Sequence, residues 1–440
     1  MLYANDKQKI LLSGAPDGYT ALILSYAARD AGDVLHICRD DVRMEALAAQ
    51  LAFYAPDVET LVFPAWDTVP YDRVSPKADV IAARTAALFQ LADGKKAKKR
   101  VVLTTVNAML QRVPPKDFFA SSFSASVGGS FDEKAFFAFL ERFGYARTEQ
   151  VMEAGEYAVR GGIVDVFAPA CEEPLRLDLF GDEIESIRTF NPVSQRTTGQ
   201  LERFSFKPVG ELTLDKDSVA RFRTKYREKF GAGQQDALYE AVSQGMRFQG
   251  MEQWLPLFHE RLDTLFDYLP DVLVSADYQT AEMIDAREDQ IDEYYLSRKE
   301  AESAGLAEGG FLYHPVDKDA MFLSRAEFDG ILEKRTVYFH YPFVAPDRTD
   351  GMTVKDASGR IAPDFSAFRA APDADLYRAV CDAVTERKDK KCVLTAYSAG
   401  SRDRIAGLLR DKGAALTYAD TWADALKVKG TAFVVLGLDG

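Results

Sequence analysis

A chain of 440 residues is too long for one ordinary hydrophobic core and predicts about three domains. Hydrophobic residues are 47% and charged residues 28% of the total, which excludes wholesale disorder. Lys and Arg number 54 against 68 Asp and Glu, a net charge of -14, so the chain as a whole is not drawn to DNA phosphates or anionic lipid.

KILLS at 9–13 reads as a buried strand, followed by the glycine-containing turn GAPDG and a helical pattern from Tyr19 to Ala31. DVLHIC (33–38), a helix over 41–53, TLVFP (60–64), a helix over 80–91 and RVVLTTV (100–106) continue the alternation, which predicts a parallel sheet covered on both faces. The run GKKAKKR (94–100) concentrates basic residues and reads as a solvated loop before a strand. After Pro114-Pro115 the rhythm becomes antiparallel, with a Phe-rich helix over 134–143 and the two runs PLRLDLF and EIESIRTF joined by Gly181-Asp182, a two-residue hairpin of type II′. Helices over 218–230 and 235–246, a strand over 271–276 and a long charged helix over 279–303 then return to the first domain. TVYFHY (336–341), CVLTAY (392–397) and AFVVL (432–436) predict a further small α/β domain. The expected division is therefore 1–112 and 207–335 as one interrupted α/β domain, 113–206 as an α+β insert, and 336–440 as the small domain.

Cys38, Cys171, Cys381 and Cys392 show no CxxC spacing, which predicts a reduced, cytoplasmic protein without a zinc site. No uncharged apolar run reaches about 18 residues and the start MLYANDKQKI lacks a signal-peptide core, so neither a membrane span nor export is expected. His36, His259, His314 and His340 are scattered and read as structural. The loop after the first strand is where a phosphate cradle would sit. Measured against G-x-x-x-x-G-K-[ST], Gly18 and Thr20 fit, but Ser13 stands at the leading glycine and Tyr19 at the lysine, and Asp17 adds negative charge. No DExx box follows a buried strand. Nucleotide hydrolysis is not expected at this loop.

PAWDTVPYDRVSPKADVIAARTAALFQL (64–91), VNAMLQRVPP (106–115) and above all GEYAVRGGIVDVFAPACEEPLRLDLFGDEIESIRTFNPVSQRT (155–197) resemble the N-terminal half of the bacterial transcription-repair coupling factors (Mfd); the central block also resembles UvrB of nucleotide excision repair. The resemblance implies a helicase-lobe (RecA-like) domain with a degenerate phosphate loop, split by an insert that docks UvrA. UvrB keeps the lysine and carries a DNA-clamping hairpin before the helix at 80–91, for which Pro70 to Ala78 leaves no room, so an ATP-dependent helicase or a UvrB-like damage loader is the alternative reading. The resemblance implies no cofactor in this chain, with ATP and Mg confined to motor domains beyond it. It also implies RNA polymerase and double-stranded DNA as partners of a full-length parent, and a C-terminal domain that masks the UvrA-binding face. This chain, lacking that part, is expected to keep the face exposed.

The family's UvrA-contacting residues fall on Arg160, Arg176 and Phe180, with Arg188 and Arg196 at family-typical positions. By strand alternation Leu175, Leu177 and Leu179 face the core and Arg176, Asp178 and Phe180 the other side. A two-residue hairpin without irregularity pairs Phe180 with Glu183, Asp178 with Glu185 and Arg176 with Ile187, and places Arg188 on the leucine face. Asp165 and Glu183 are candidates to pair with arginines. Gly161-Gly162 predict a close backbone approach or a bulge. Truncating Arg176 or Phe180 is expected to weaken UvrA binding with little loss of stability.

Overall fold

The computed structural model describes residues 8–92, 99–120, 122–169, 171–231, 236–307, 312–349, 351–370, 375–387 and 389–438. The first domain starts with β1 (Lys9–Ser13), α1 (Asp17–Ala31), β2 (Asp33–Cys38), α2 (Asp41–Tyr54), β3 (Glu59–Phe63), α3 (Ala78–Ala92) and β4 (Arg100–Thr105). All six residues of β4 are buried, as a strand covered on both faces requires. Asp40 caps α2 by accepting from the Arg43 amide at 2.7 Å.

The insert holds β5 (Phe123–Ser126), a helix at Glu133–Arg142, then β6 (Ala146–Arg147), β7 (Glu156–Arg160), β8 (Ile163–Val166), β9 (Leu175–Phe180), β10 (Glu183–Phe190), β11 (Thr197–Leu201) and β12 (Arg203–Phe206). Its main sheet runs β11-β10-β9-β8-β7-β6, antiparallel except for the β6–β7 pair, with β12 and β5 as a separate ribbon. Phe131, Phe136, Leu140, Val164, Leu175, Leu177, Ile187 and Phe206 fill a core of its own.

Beyond the insert come β13 (Leu273–Asp277), β14 (Val337–His340) and β15 (Thr353–Asp356). They join β1 to β4 in one parallel sheet of order β15-β1-β14-β13-β2-β4-β3. This corrects the expectation that the strand at 336–341 opens the small domain. β14 lies between β1 and β13, where its Val337, Tyr338 and His340 are buried. Its apolar run marked it as a buried strand, but local pattern carries no information on which sheet it joins.

The small domain has β16 (Val393–Ala396), β17 (Leu416–Tyr418) and β18 (Thr431–Val435) in a parallel sheet of order β16-β18-β17. It docks on α2, with Trp422 edge-on to Tyr54 at 4.9 Å between ring centres and Gln50 Nε2 donating to the Gly437 carbonyl at 3.3 Å. Among the described residues no helix is long and apolar enough to cross a membrane. Of the basic run 94–100, residues 94–98 lie outside the described residues. Lys99 pairs with Asp57 at 2.9 Å, and Arg100 is buried 3.4 Å from Asp33 and 3.6 Å from Glu59.

The exit of the insert is bolted to α3. Arg84 and Glu211, both with fully buried side chains, form an ion pair; Arg84 Nη1 also donates to the Pro64 carbonyl at 2.8 Å, and Trp66 Nε1 donates to Glu211 at 3.2 Å. Thr85 Oγ1 adds a bond to the Val209 carbonyl at 3.1 Å. Buried ions are tolerated only when paired and hydrogen-bonded, and here both are.

Candidate functional site

The candidate residues of the insert converge on one carboxylate. Asp165, on β8, is 1% exposed; its Oδ1 accepts from Arg176 Nε at 2.7 Å, and its Oδ2 accepts from Arg176 Nη2 at 2.8 Å and Arg160 Nη2 at 2.7 Å. Register explains the meeting: Asp165 is directly opposite Arg176 on β9 and Ala158 on β7, so all three strands present this face together. The bidentate geometry is the strong form of the ion pair, and the Asp165 carboxylate raises the affinity of the Arg176 guanidinium for its proton. Arg176 lies 4.4 Å from the centre of the Phe190 ring and donates to Gln195 Oε1 at 3.0 Å. Its side chain keeps 17% exposure, that of Arg160 keeps 50%, and Phe180 at the hairpin tip is 81% exposed.

Arg176 and Phe180 share one face of β9 as strand alternation predicts, the register across β8 and β7 adds Arg160 to it, and Phe180 stands exposed. Gly181 has φ 62, the positive value that the first position of a type II′ turn requires. Gly162 runs close beside β9: a Cβ there would lie 2.8 Å from the Leu179 carbonyl oxygen.

Two expectations are corrected. First, the hairpin does not run without irregularity. Phe180 opposes Glu183 as expected, but the register shifts between Ile184 and Ser186, so Asp178 faces Ser186 and Arg176 faces Arg188. A β-bulge inserts one residue and reverses the facing of everything after it. Second, Arg188 consequently leaves the leucine face and pairs with Asp178, which also accepts from Ser186 Oγ. The two acids expected to oppose each other do not. The signal was present in Ile184 and Ile187, both buried but three residues apart, a spacing that a regular strand cannot put on one face. Arg176 is also the two-point partner of a buried carboxylate, which bears on the expectation that truncating it costs little stability.

At the carboxyl end of the large sheet, the loop after β1 is already in use. The Gly14 and Ala15 amides donate to the Phe343 and Tyr341 carbonyls, each at 2.9 Å. Tyr19 packs with Leu12, Ala15, Ile23 and Ala357, and a Cβ on Gly359 would lie 2.4 Å from the Gly14 oxygen and 2.7 Å from the Tyr19 ring. The chain at 357–359 thus lies directly on the loop. Ser13 donates to the Lys355 carbonyl at 3.4 Å, Gly18 abuts Leu438, and Thr20 is buried.

Sequence reading missed the neighbouring polar cluster, because its members are far apart along the chain. Asp277 ends β13 and is followed by Tyr278; its Oδ2 accepts from the Arg39 amide at 3.0 Å, and its Oδ1 lies 3.5 Å from His36 Nε2 and 3.7 Å from Arg43 Nε. Ser275 Oγ bridges His36 Nδ1 (3.0 Å) and His340 Nε2 (2.8 Å). Burial of an otherwise chargeable ring pushes His340 down to about 3, so it is neutral. His36, Cys38 and Asp277 bring ligand atoms within 4.8 Å of one another. Arg43 already compensates Asp277, and burial raises the Cys38 thiol well above its ordinary range, so both oppose a bound cation.

Comparison with known proteins bears on the insert directly. The family described as the UvrB interaction domain matches residues 123–211. The chain is 34% identical over 272 residues to a transcription-repair-coupling factor of Haemophilus influenzae, covering 61% of this chain and 24% of that protein. It is 35% identical over 269 residues to one of Escherichia coli (60% and 23%), and 34% identical over 275 residues to one of Myxococcus xanthus (59% and 22%). The aligned stretch spans about a quarter of the length of these relatives. The face built on Asp165 therefore lies within the segment that matches the UvrB interaction domain, in a chain that resembles the transcription-repair-coupling factors over about a quarter of their length.

Proposed function

We propose that this chain is a non-catalytic docking module that binds UvrA through Arg160, Arg176 and Phe180, and so recruits nucleotide excision repair to RNA polymerase stalled at a DNA lesion. The observation that carries this reading is the exposed tip Phe180 on the same face as two arginines preset on a buried aspartate, within the segment that matches the UvrB interaction domain. Aromatic and arginine side chains are the residues that most often dominate binding energy at interfaces. Presetting Arg176 reduces the ordering cost of association.

The non-catalytic part of the proposal is supported by the loop after β1. Two of its amides are bonded to backbone carbonyls, Tyr19 replaces the cation that would hold phosphates, and Gly359 lies where a ligand would approach. Motor activity, double-stranded DNA binding and masking of the docking face belong in this proposal to a longer parent protein. Two measurements test it. UvrA should bind the wild-type chain and lose affinity for Phe180→Ala. ATP turnover, with and without DNA, should stay at the buffer blank; DNA-stimulated hydrolysis would favour the helicase-like alternative.

A further inference from the structure

Among the described residues of the insert, Phe180 at 81% and Val193 at 77% are the two most exposed large apolar side chains. They stand at opposite ends of Arg176. Phe180 lies four residues along β9 on the same face, roughly 13 Å away at the usual rise per residue. Val193 lies in the loop 191–196, which closes on Arg176 from the other end through the Gln195 Oε1 contact.

That loop is tightly organised. Asn191 Oδ1 accepts from the Val193 and Ser194 amides at 3.1 and 2.8 Å, and the Asn191 amide donates to the Arg196 carbonyl at 2.9 Å. Gln195, at φ 59, donates its amide to the Asn191 carbonyl at 2.8 Å and its side-chain Nε2 to the Pro192 carbonyl at 2.6 Å. Turns of this kind favour small polar residues at their exposed positions. Here a rigid turn instead holds a branched apolar side chain out in water, next to the exposed Arg196.

We propose that Val193 is a second apolar anchor of the docking face, so that the partner grips the sheet at Phe180 and at Val193 with Arg160 and Arg176 between them. The occupant is the UvrA of the reading above, on which this inference rests. Its surface should offer two apolar sockets flanking an acidic group. Two anchors, one on the strand and one on the loop adjoining Arg176, fit within one partner's share of a standard interface, about 800 Å². The face is continuous, because Gln195 joins the Val193 loop to Arg176 and Asp165 joins Arg176 to Arg160.

The test is calorimetric titration of purified UvrA into the 440-residue chain carrying Val193→Thr, Val193→Ile, Phe180→Ala or Val42→Thr. Val193→Thr keeps the shape and removes the apolar contact; Val42, 78% exposed on α2 outside the insert, is the matched control. Val193→Thr should weaken binding at least about fivefold, a loss on the scale of about 1 kcal/mol, with Val193→Ile and Val42→Thr at wild-type affinity. Wild-type affinity for Val193→Thr beside a weakened Phe180→Ala removes Val193 from the face while the docking reading stands. Wild-type affinity for both removes both. Equal losses in Val193→Thr and Val193→Ile overturn the proposal by showing that loop shape, not apolar contact, was disturbed.

Discussion

Replacing Arg176 and replacing Phe180 should give opposite signatures. Phe180 is 81% exposed, so Phe180→Ala removes almost nothing from the fold and should leave stability within about 0.5 kcal/mol of wild type. The exposed part of a phenylalanine is on the order of 160 Å², which at about 25 cal/mol per Å² bounds its binding contribution near 4 kcal/mol; a loss of about 2 kcal/mol or more is expected. Arg176→Ala is different because Asp165 is 1% exposed. Its carboxylate would retain the single bond from Arg160, whose side chain is half in water. Breaking a buried pair costs about 3 to 5 kcal/mol, and the remaining arginine argues for about 3. Loss of the contact over the Phe190 ring, 4.4 Å away, adds to this in the same direction. Urea denaturation followed by circular dichroism, together with UvrA titration, separates the two effects. If Arg176→Ala unfolds at the wild-type urea midpoint, Asp165 is not held by this pair and the argument for a preset arginine fails. A double-mutant cycle of Asp165→Asn and Arg176→Gln should show coupling well above the level of exposed pairs, about 1 kcal/mol.

The remaining predictions concern the frame around the insert. Arg84→Met should destabilise the chain by about 3 kcal/mol or more, since it strands the buried Glu211 carboxylate; Arg84→Met with Glu211→Leu should recover much of that in the same urea titration. Tyr19→Lys should not create saturable ATP binding by fluorescent-nucleotide titration, because the loop amides are bonded to Tyr341 and Phe343; saturable binding refutes that account. Burial holds His259 down at about 4 while its Nε2–H donates to the Glu211 carbonyl at 2.7 Å. The unfolded imidazole binds its proton near pH 6.5, so the unfolded chain takes up more protons between about pH 6.5 and 4 and stability falls as pH drops through that window. From pH 7 to 5 this one group should account for about 2 kcal/mol, and His259→Gln should lose that much less over the same interval.

Most of the order of strands and helices followed from the sequence, because hydrophobic period and turn residues are local; β15, an exposed edge strand in a stretch rich in Pro, Asp and Gly that reads as a loop, did not. KILLS, DVLHIC and RVVLTT carry the apolar runs of doubly covered strands, and each is a strand within a residue of its expected limits. Gly181-Asp182 fixed the hairpin tip for the same reason, since only the turn backbone needs the positive φ. The placing of Arg176 and Phe180 on one face needed only alternation along β9, whereas the register of β7, β8 and β9 brought Arg160 to it.

What the tertiary structure decided was whatever depends on partners distant in sequence. β14 enters the sheet between β1 and β13, more than 320 residues after β1, and no local pattern encodes that neighbour. The bulge at Glu185 turned Arg188 onto the face that carries Asp178 and Arg176, a one-residue change of register that strand periodicity assumes away. Asp165 read as a possible partner of some arginine, whereas burial and two-point geometry made it the post to which Arg176 is fixed. Charge pairing in a protein interior is settled by distance and desolvation together, and both quantities exist only once the chain has folded.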